Sequence, residues 1–343
     1  MSLSIVMPTY NGMRYLKQAV DSVLSQSYQG WELIISDDGS KDGTRDYLLS
    51  LEDPRVKVHF QTENLGIFGN LNFLLSQARY EITQILCQDD YLVDSGALDR
   101  LLSEWSRLPD AVTFLRSNHR LDVRSRLERY QAAVLPPVIA PEHSDLLFFV
   151  FGCIPGNLSN VSVRTSAVEG AGWFRTDLPY AGDFEFWSRL GRSSPWALSR
   201  FSVTCVRQHI AQASVTLNLK GEKISQLGTV LDILYRRLVA EGHSPLALRF
   251  MAAVAYISQE KHRGVKDQLS GRGRQYLACV AKGLDPSSFS FGSTLDWGIY
   301  FASLGGHLFT VSAARQLLKA HNRILSAGKE SSACIAPMWG GSE

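Results

Sequence analysis

Leu3-Ser-Ile-Val-Met-Pro-Thr-Tyr10-Asn11 and, after one helical stretch, Glu32-Leu-Ile-Ile-Ser36-Asp37-Asp38-Gly39-Ser40 decide the fold. Each is a short β-branched run that ends on turn-forming, polar residues. Between them Tyr15, Leu16, Ala19, Val20, Val23 and Leu24 form one apolar stripe at helical spacing. The alternation continues, with strands expected at 3–7, 32–36, 56–60, 82–87 and 111–115 and helices at 13–26, 44–51, 68–78 and 96–107. Right-handed crossovers then give an α/β fold, a mostly parallel sheet flanked by helices whose ligands bind at the carboxyl ends of the strands.

After the Pro136, Pro137 and Pro141 segment, a strand at 158–164, a helix at 184–191 and a strand at 201–207 read as additions to the same sheet. Beyond residue 214 the periodicity is helical, at 224–239, 245–258, 275–282 and 311–325. A mainly helical C-terminal subdomain is expected over 216–343, behind an α/β domain at 1–215.

The 343 residues are 45% hydrophobic and 20% charged, which excludes a disordered chain. A net charge of +2 lacks the field of a nucleic-acid binder, so no nucleic-acid partner is expected. The five cysteines are scattered without a C-x-x-C pair, which argues against structural zinc and for a reducing compartment. The amino terminus has no basic, apolar leader pattern, and the longest apolar window, 246–257, is short and contains Arg249. A cytoplasmic protein is expected. Residues 216–343 carry a charge of +6 against −4 for 1–215. Lys261, Arg263, Lys266, Arg272 and Arg274 cluster there and could meet an anionic membrane surface, although a solvated helix end is the simpler reading.

Three acidic groups fall at expected strand ends. In Asp37-Asp38-Gly39-Ser40, a carboxylate can accept the N3–H of a uracil or thymine ring, and a plain turn in which Asp42 and Thr44 cap the next helix is the alternative. In Gln88-Asp89-Asp90-Tyr91, two adjacent carboxylates repel one another unless a hard divalent cation, Mg²⁺ or Mn²⁺, is supplied. In Gly182-Asp183-Phe-Glu185, positions i and i+2 of a helix point apart, so only one carboxylate faces a cleft. Asp183 opens the helical pattern and is either that group or an N-cap. There is no phosphate-binding loop, no dinucleotide G-x-G-x-x-G, no G-x-S-x-G and no H-E-x-x-H.

In order, Val6-Met-Pro8-Thr9-Tyr10-Asn11, Asp37-Asp38-Gly39-Ser40, Asn64-Leu-Gly66, Gln88-Asp89-Asp90 and Gly182-Asp183-Phe-Glu-Phe-Trp187-Ser-Arg189 resemble the family 2 glycosyltransferases, which have the GT-A fold. The resemblance implies an inverting, metal-dependent transfer from a nucleoside-diphosphate sugar, UDP- or dTDP-type, to an acceptor hydroxyl, on a saccharide or lipid-linked saccharide of a bacterial surface polymer. It implies donor binding over about 1–115 and an acceptor side over about 116–215. Pro8, Thr9, Tyr10, Asp38 and Gly66 would hold the nucleoside, Asp89 the ribose or sugar, and Arg207 the diphosphate. Asp90 would hold Mn²⁺ or Mg²⁺, with His209 as a further candidate, and Asp183 would be the general base. The family often has an acid where this chain has Cys87 and another where it has Gly182. An inactive nucleotide-sugar-binding scaffold and a sugar nucleotidyltransferase are the alternatives.

Overall fold

A computed structural model describes residues 1–119, 125–209, 222–268 and 273–330. The chain divides into two compact units, one formed by Met1–Val123, Pro137–Glu142 and Cys153–Ile210 and the other by Arg124–Pro136, His143–Gly152 and Ala211–Glu343. The expected boundary at 215–216 and Arg272 lie outside the described residues.

The first unit runs β1 (Leu3–Thr9), α1 (Met13–Leu24), β2 (Trp31–Asp37), α2 (Thr44–Leu49), β3 (Val56–Phe60), α3 (Gly66–Gln77), β4 (Ile82–Ile85), β5 (Tyr91–Leu92), α4 (Ala97–Trp105) and β6 (Phe114–Arg116). Next come α5 (Arg126–Val134), β7 (Val138–Ile139) and α6 (Pro141–Phe151). The first unit then resumes with β8 (Val161–Arg164), α7 (Thr165–Ala171), α8 (Gly182–Ser193), β9 (Trp196–Leu198) and β10 (Thr204–Cys205).

Eight strands form one sheet in the order β3-β2-β1-β4-β8-β6-β9-β7. From β1 the chain builds outward through β2 and β3, then returns to place β4 on the other side of β1, and all three pairings are parallel. That reversal opens a crevice between the ends of β1 and β4. Both faces of β1 and β2 are covered, which is why they read as continuous apolar runs. Leu16, Ala19, Val20 and Val23 of α1 and Leu98, Leu101 and Trp105 of α4 pack into the same core as Ile5, Leu33 and Ile35.

The far half of the sheet is more mixed than the expected parallel pattern. β8 is antiparallel to both β4 and β6, and β7 is antiparallel to β9. The expected strand at 201–207 shrinks to β10, which pairs with β5 in a separate two-stranded ladder and not with the main sheet. Its short apolar run had no partner legible in the sequence. The ladder brings Arg207 beside Asp89 and Asp90.

The second unit is helical: α5, most of α6, α9 (Glu222–Ala240), α10 (Pro245–Ala252), a π-helical segment (Ala253–Ile257), α11 (Ser258–Asp267), α12 (Gly273–Gly283), α13 (Ser293–Ala302) and α14 (Thr310–Glu330). Among the described residues no helix is long and apolar enough to cross a membrane. The expected basic cluster loses two members here. Lys261 is buried, its ammonium 3.6 Å from Asp285 and over the Trp297 ring, and Arg263 pairs with Glu260 at 3.1 Å.

One buried carboxylate ties three strands together. Glu32 on β2 accepts from Ser4 Oγ on β1 (2.8 Å), Lys57 Nζ on β3 (2.9 Å) and Arg79 N and Nε (3.0 and 2.9 Å). Burial alone would raise its pKa, but these donors hold it below the usual glutamate range. A folded-state pKa below the unfolded one adds stability above the unfolded value, and that stability is lost as pH falls through the folded value. Because Lys57 and Arg79 are partly exposed, Glu32→Gln should cost about 2 kcal/mol near neutral pH. Denaturant titrations should show the deficit shrinking as the pH falls below the glutamate range. An equal deficit at acid pH would refute the ionic contribution.

Candidate active site

At the end of β1, Thr9 lies in register with Asp37, and its carbonyl accepts the N–H of Asp38 at 2.8 Å. Asn11 then takes a left-handed backbone (φ 48°), its N–H donating to Ser40 Oγ (2.7 Å) while its Oδ1 accepts from Lys41 N (2.8 Å). The exposed N–H groups that open α1 are capped from the neighbouring loop. Gly12 N donates to Thr44 Oγ1 (3.0 Å) and Met13 N to Asp42 Oδ2 (3.1 Å), while Asp42 Oδ1 accepts from the Thr44 hydroxyl (2.6 Å). Asp42 therefore caps two helices. Burial raises its pKa, but these donors hold it below the usual aspartate range.

Tyr10 is left half-exposed at the tip of this double loop. Its N–H donates to Gln88 Oε1 (2.8 Å), and its carbonyl accepts from Gln88 Nε2 (2.9 Å), which ties the tip to the loop after β4. Pro8 is half-buried within β1. Thr9 is buried, its hydroxyl turned back toward the Met7 carbonyl at 3.4 Å.

Asp38 is buried at the end of the crevice wall. Its two oxygens accept the N–H groups of Leu65 (2.7 Å) and Gly66 (3.0 Å), so it orders the loop that starts α3. Burial outweighs these donors and raises its pKa. Gly66 has φ +73°, where a side chain is strained, and a Cβ there would project into open space. Asp38 thus has a structural task beside the one expected of it, and each carboxylate oxygen keeps a further acceptor position.

Asp90 is wholly buried. Its Oδ1 accepts the N–H of Arg207 (2.9 Å), whereas Oδ2 has no partner among the described residues. Burial pushes its pKa up to about 6. The Asp89 Oδ2 lies 2.9 Å from His209 Nε2, and the Asp89 carbonyl accepts from the Arg207 guanidinium. That guanidinium stacks over Tyr91 and Tyr15, and the His209 ring packs on Tyr15 with centroids 4.7 Å apart. Cys87 Sγ and one carboxylate oxygen each of Asp89 and Asp90 lie within 4.8 Å of one another. A buried carboxylate oxygen with no hydrogen-bond partner at bonding distance among the described residues, beside the Ser159 hydroxyl, a second carboxylate and an imidazole, fits a divalent cation.

Asp183 is the second residue of α8, one place inside the helix, so it is not the N-cap; Ala181 occupies that position and supplies no side-chain bond. Its Oδ1 accepts Phe184 N (2.7 Å) and its Oδ2 lies 3.9 Å from Cys153 Sγ. Burial pushes its pKa up to about 6. Asp183 also raises the pKa of the Cys87 thiol, behind burial, Asp90 and Asp89, so it shares the field of the acidic pair. Glu185 makes a bidentate pair with Arg189 (2.9 and 3.0 Å), a helix clamp turned away from the crevice chemistry.

The structure therefore gathers Tyr10, Asp89, Asp90, Arg207, His209 and Asp183 around the β1–β4 crevice, with Asp38 and Gly66 at the neighbouring loop. Gln88, Ser159, whose hydroxyl accepts Cys87 N at 2.9 Å, and the buried Asp37 oxygen without a partner among the described residues were not anticipated. Gln88 and Asp37 stood inside quoted motifs, but their type gave no sign of these contacts, and Ser159, in the short helical turn Leu158–Asn160, carries no periodic or motif signal.

Residues 4–159 match the model of Glycosyl transferase family 2. An uncharacterized glycosyltransferase of Rickettsia felis is 26% identical over 231 residues, 66% of this chain and 37% of that protein. The chain thus spans little more than a third of the length of the Rickettsia relatives it matches first. The Escherichia coli UDP-Glc:alpha-D-GlcNAc-diphosphoundecaprenol beta-1,3-glucosyltransferase WfgD is 24% identical over 232 residues, 68% of this chain and 85% of that one. Among solved structures, mannosyltransferase PcManGT from Pyrobaculum calidifontis, in complex with GDP-Man and Mn²⁺, superposes with a TM-score of 0.51 at 16% identity, covering 96% of this chain and 87% of that one.

The orphaned Asp90 oxygen generates a direct test. Mn²⁺ titrated calorimetrically in the presence of a nucleoside diphosphate should bind the protein, and Asp90→Asn should weaken it by about tenfold or more with little change in melting temperature. Equal Mn²⁺ affinity in the variant would remove Asp90 as a ligand.

Proposed function

We propose that this family 2 glycosyltransferase, assigned through residues 4–159, moves a sugar with inversion from a nucleoside-diphosphate sugar to an acceptor hydroxyl. The observation that carries the reading is Asp90, a buried carboxylate with one oxygen left for a cation, after β4 at the switch point of the sheet's parallel half. Tyr10 packs on the donor base, Asp38 accepts its N3–H through a remaining lone pair, and Pro8, Thr9 and Gly66 shape the loops around the nucleoside. Asp89 meets the ribose or sugar. Asp90, with His209 nearby, would hold a divalent cation, Mn²⁺ or Mg²⁺, which would supply positive charge where the leaving diphosphate gains negative charge. Arg207, fixed over Tyr91 and Tyr15, adds its own charge there.

Asp183 takes the proton of the attacking hydroxyl as the new glycosidic bond forms and the bond to the diphosphate breaks. A single in-line displacement inverts the anomeric centre without an enzyme nucleophile, so one carboxylate suffices. A uracil or thymine base suits Asp38, which favours UDP- or dTDP-type donors. The named activity of the Escherichia coli relative supports a lipid-linked saccharide acceptor of the cell envelope. Free Cys87, Cys153, Cys205 and Cys279 suit the reducing cytoplasm, where we place the reaction.

With Asp183 pushed up to about 6, the base is ionised at neutral pH and becomes protonated below. Turnover should therefore rise with pH through an ascending limb near that value. Asp183→Asn should lower turnover by about 10²–10⁴ and leave UDP affinity within a few fold. Glu185→Gln should instead lower the melting temperature, because it opens the Arg189 clamp. Nucleotide release from a panel of donor sugars, with calorimetry for UDP, decides the matter. Full activity in Asp183→Asn would exclude it as the base, and activity undiminished by EDTA would exclude the cation.

A further inference from the structure

The helical unit holds a second feature that the transfer chemistry does not use. A cleft of ≈ 900 Å³ is lined by residues of α5, α6, α9, the π-helical segment, α11, the turn before α14 and the start of α14. Val150, Phe151, Leu227 and Val311 give it apolar walls, and exposed Arg126 and Arg129, one turn apart on α5, also line it. Neither arginine has an acidic partner among the described residues. The acids nearby are committed: Glu128 closes a capping box with Ser125, and Glu260 binds Lys223 (2.7 Å) and Arg263. The uncommitted charge of the cleft is positive.

Beside it lies a concentration of exposed apolar side chains. Leu295, Phe301, Leu304, Leu308 and Phe309, 38–70% exposed, fall within the stretch 295–309, and Leu308 also lines the cleft. Leu304 (φ 50°) and Phe309 (φ 69°) are held in left-handed backbone, a conformation that bulky residues avoid. The turn that presents them is fixed. Gly306 sits so close to the π-helical segment that a Cβ would lie 2.3 Å from the Val254 carbonyl, its N–H donates to Ser303 Oγ (3.0 Å), and its carbonyl accepts from Thr310 Oγ1 (2.6 Å). Strain and exposure without burial among the described residues point to a gain from another body.

We propose that this face of the helical unit is a peripheral site for an anionic lipid surface. Arg126 and Arg129 take phosphate headgroups at the cleft, and Phe301, Leu304 and Phe309 enter the apolar layer beside it. Charge complementarity selects lipid over a second copy of this chain, because a self-association would bring the arginines of two copies toward one another. The contact differs from the basic stretch at 261–274, whose Lys261 is buried.

Co-sedimentation of the full chain with phosphatidylcholine vesicles, with and without phosphatidylglycerol, tests the proposal. The protein should pellet with the anionic vesicles only, and less at high salt. Arg126→Gln with Arg129→Gln should weaken binding by about thirtyfold at low salt. Phe301→Ser with Phe309→Asn should weaken it comparably at unchanged melting temperature, with Leu295→Ser as a second exposed variant should the first misfold. Absence of pelleting at low salt, equal binding to neutral vesicles, or binding indifferent to both sets of substitutions would overturn it. So would a dimer dissociated by Phe301→Ser with Phe309→Asn, which would assign the face to a second copy. None of these readouts depends on glycosyl transfer.

Discussion

The side chain of Asp42 holds the carboxyl edge of the sheet together. A helix leaves its first N–H groups without internal partners, and α1 begins at Gly12, which has no side chain to cap them. Asp42 and Thr44 reach across from the next loop to do so, and Asn11 and Ser40 close the same seam. The two loops are thereby one body, with Tyr10 at its tip. Gln88 then joins that tip to the acidic loop through a reciprocal pair of bonds to the main chain of Tyr10. The position of Asp89 and Asp90 relative to Tyr10 is thus set by side chains bonded to main chain of another segment, a geometry that leaves little freedom for slippage.

The carboxylates at the two ends of the sheet separate by how they are satisfied, Glu32 lying at the amino end of β2 and the others at the carboxyl edge. Exposed Asp42 and buried Glu32 are both surrounded by donors, and both are held below their usual pKa ranges. Asp90 and Asp183 are buried with fewer donors, and both are pushed up to about 6. A buried anion left short of donors costs stability, and a fold retains that cost where a cation or a reacting group completes the site. Asp38 stands between the two groups, with each oxygen engaged by one main-chain N–H and its pKa still raised.

β1 to β4, β6 and the four helices between them were legible because apolar runs there alternate with turn residues over a covered sheet, where periodicity and burial agree, whereas the two-residue β5 was not. In the far half β8 was also expected, but the shortest strands and the antiparallel pairings were not. β7, β9 and β10 are two or three residues long, too short for any period, and their pairing depends on segments distant in sequence. The acidic pair and Asp183 were legible as residue types at strand and helix ends. Arg207 and His209 were named through the resemblance, but their contacts with the acidic pair were not legible, because these exist only through the β5–β10 ladder. Lys261 misled for a related reason: a charge counted along the chain carries no information on whether Asp285 and Trp297 enclose it.

Gly182 explains why the proposed base stands alone. A Cβ at that position would lie 2.6 Å from the Phe68 ring and 3.1 Å from the Arg175 carbonyl, so an acid at this place has no room. Phe68 cannot readily yield, because it stacks on Phe174, which stacks in turn on Phe186 of α8 with ring centroids 3.9 Å apart. The same aromatic stack that closes the space fixes the first turn of α8 on which Asp183 sits. The electrostatic consequence favours the chemistry: a second carboxylate beside Asp183 would push its pKa higher through like-charge repulsion. With glycine there, burial alone sets the rise to about 6, low enough for the carboxylate to be ionised at neutral pH and high enough for it to accept a proton in the transition state.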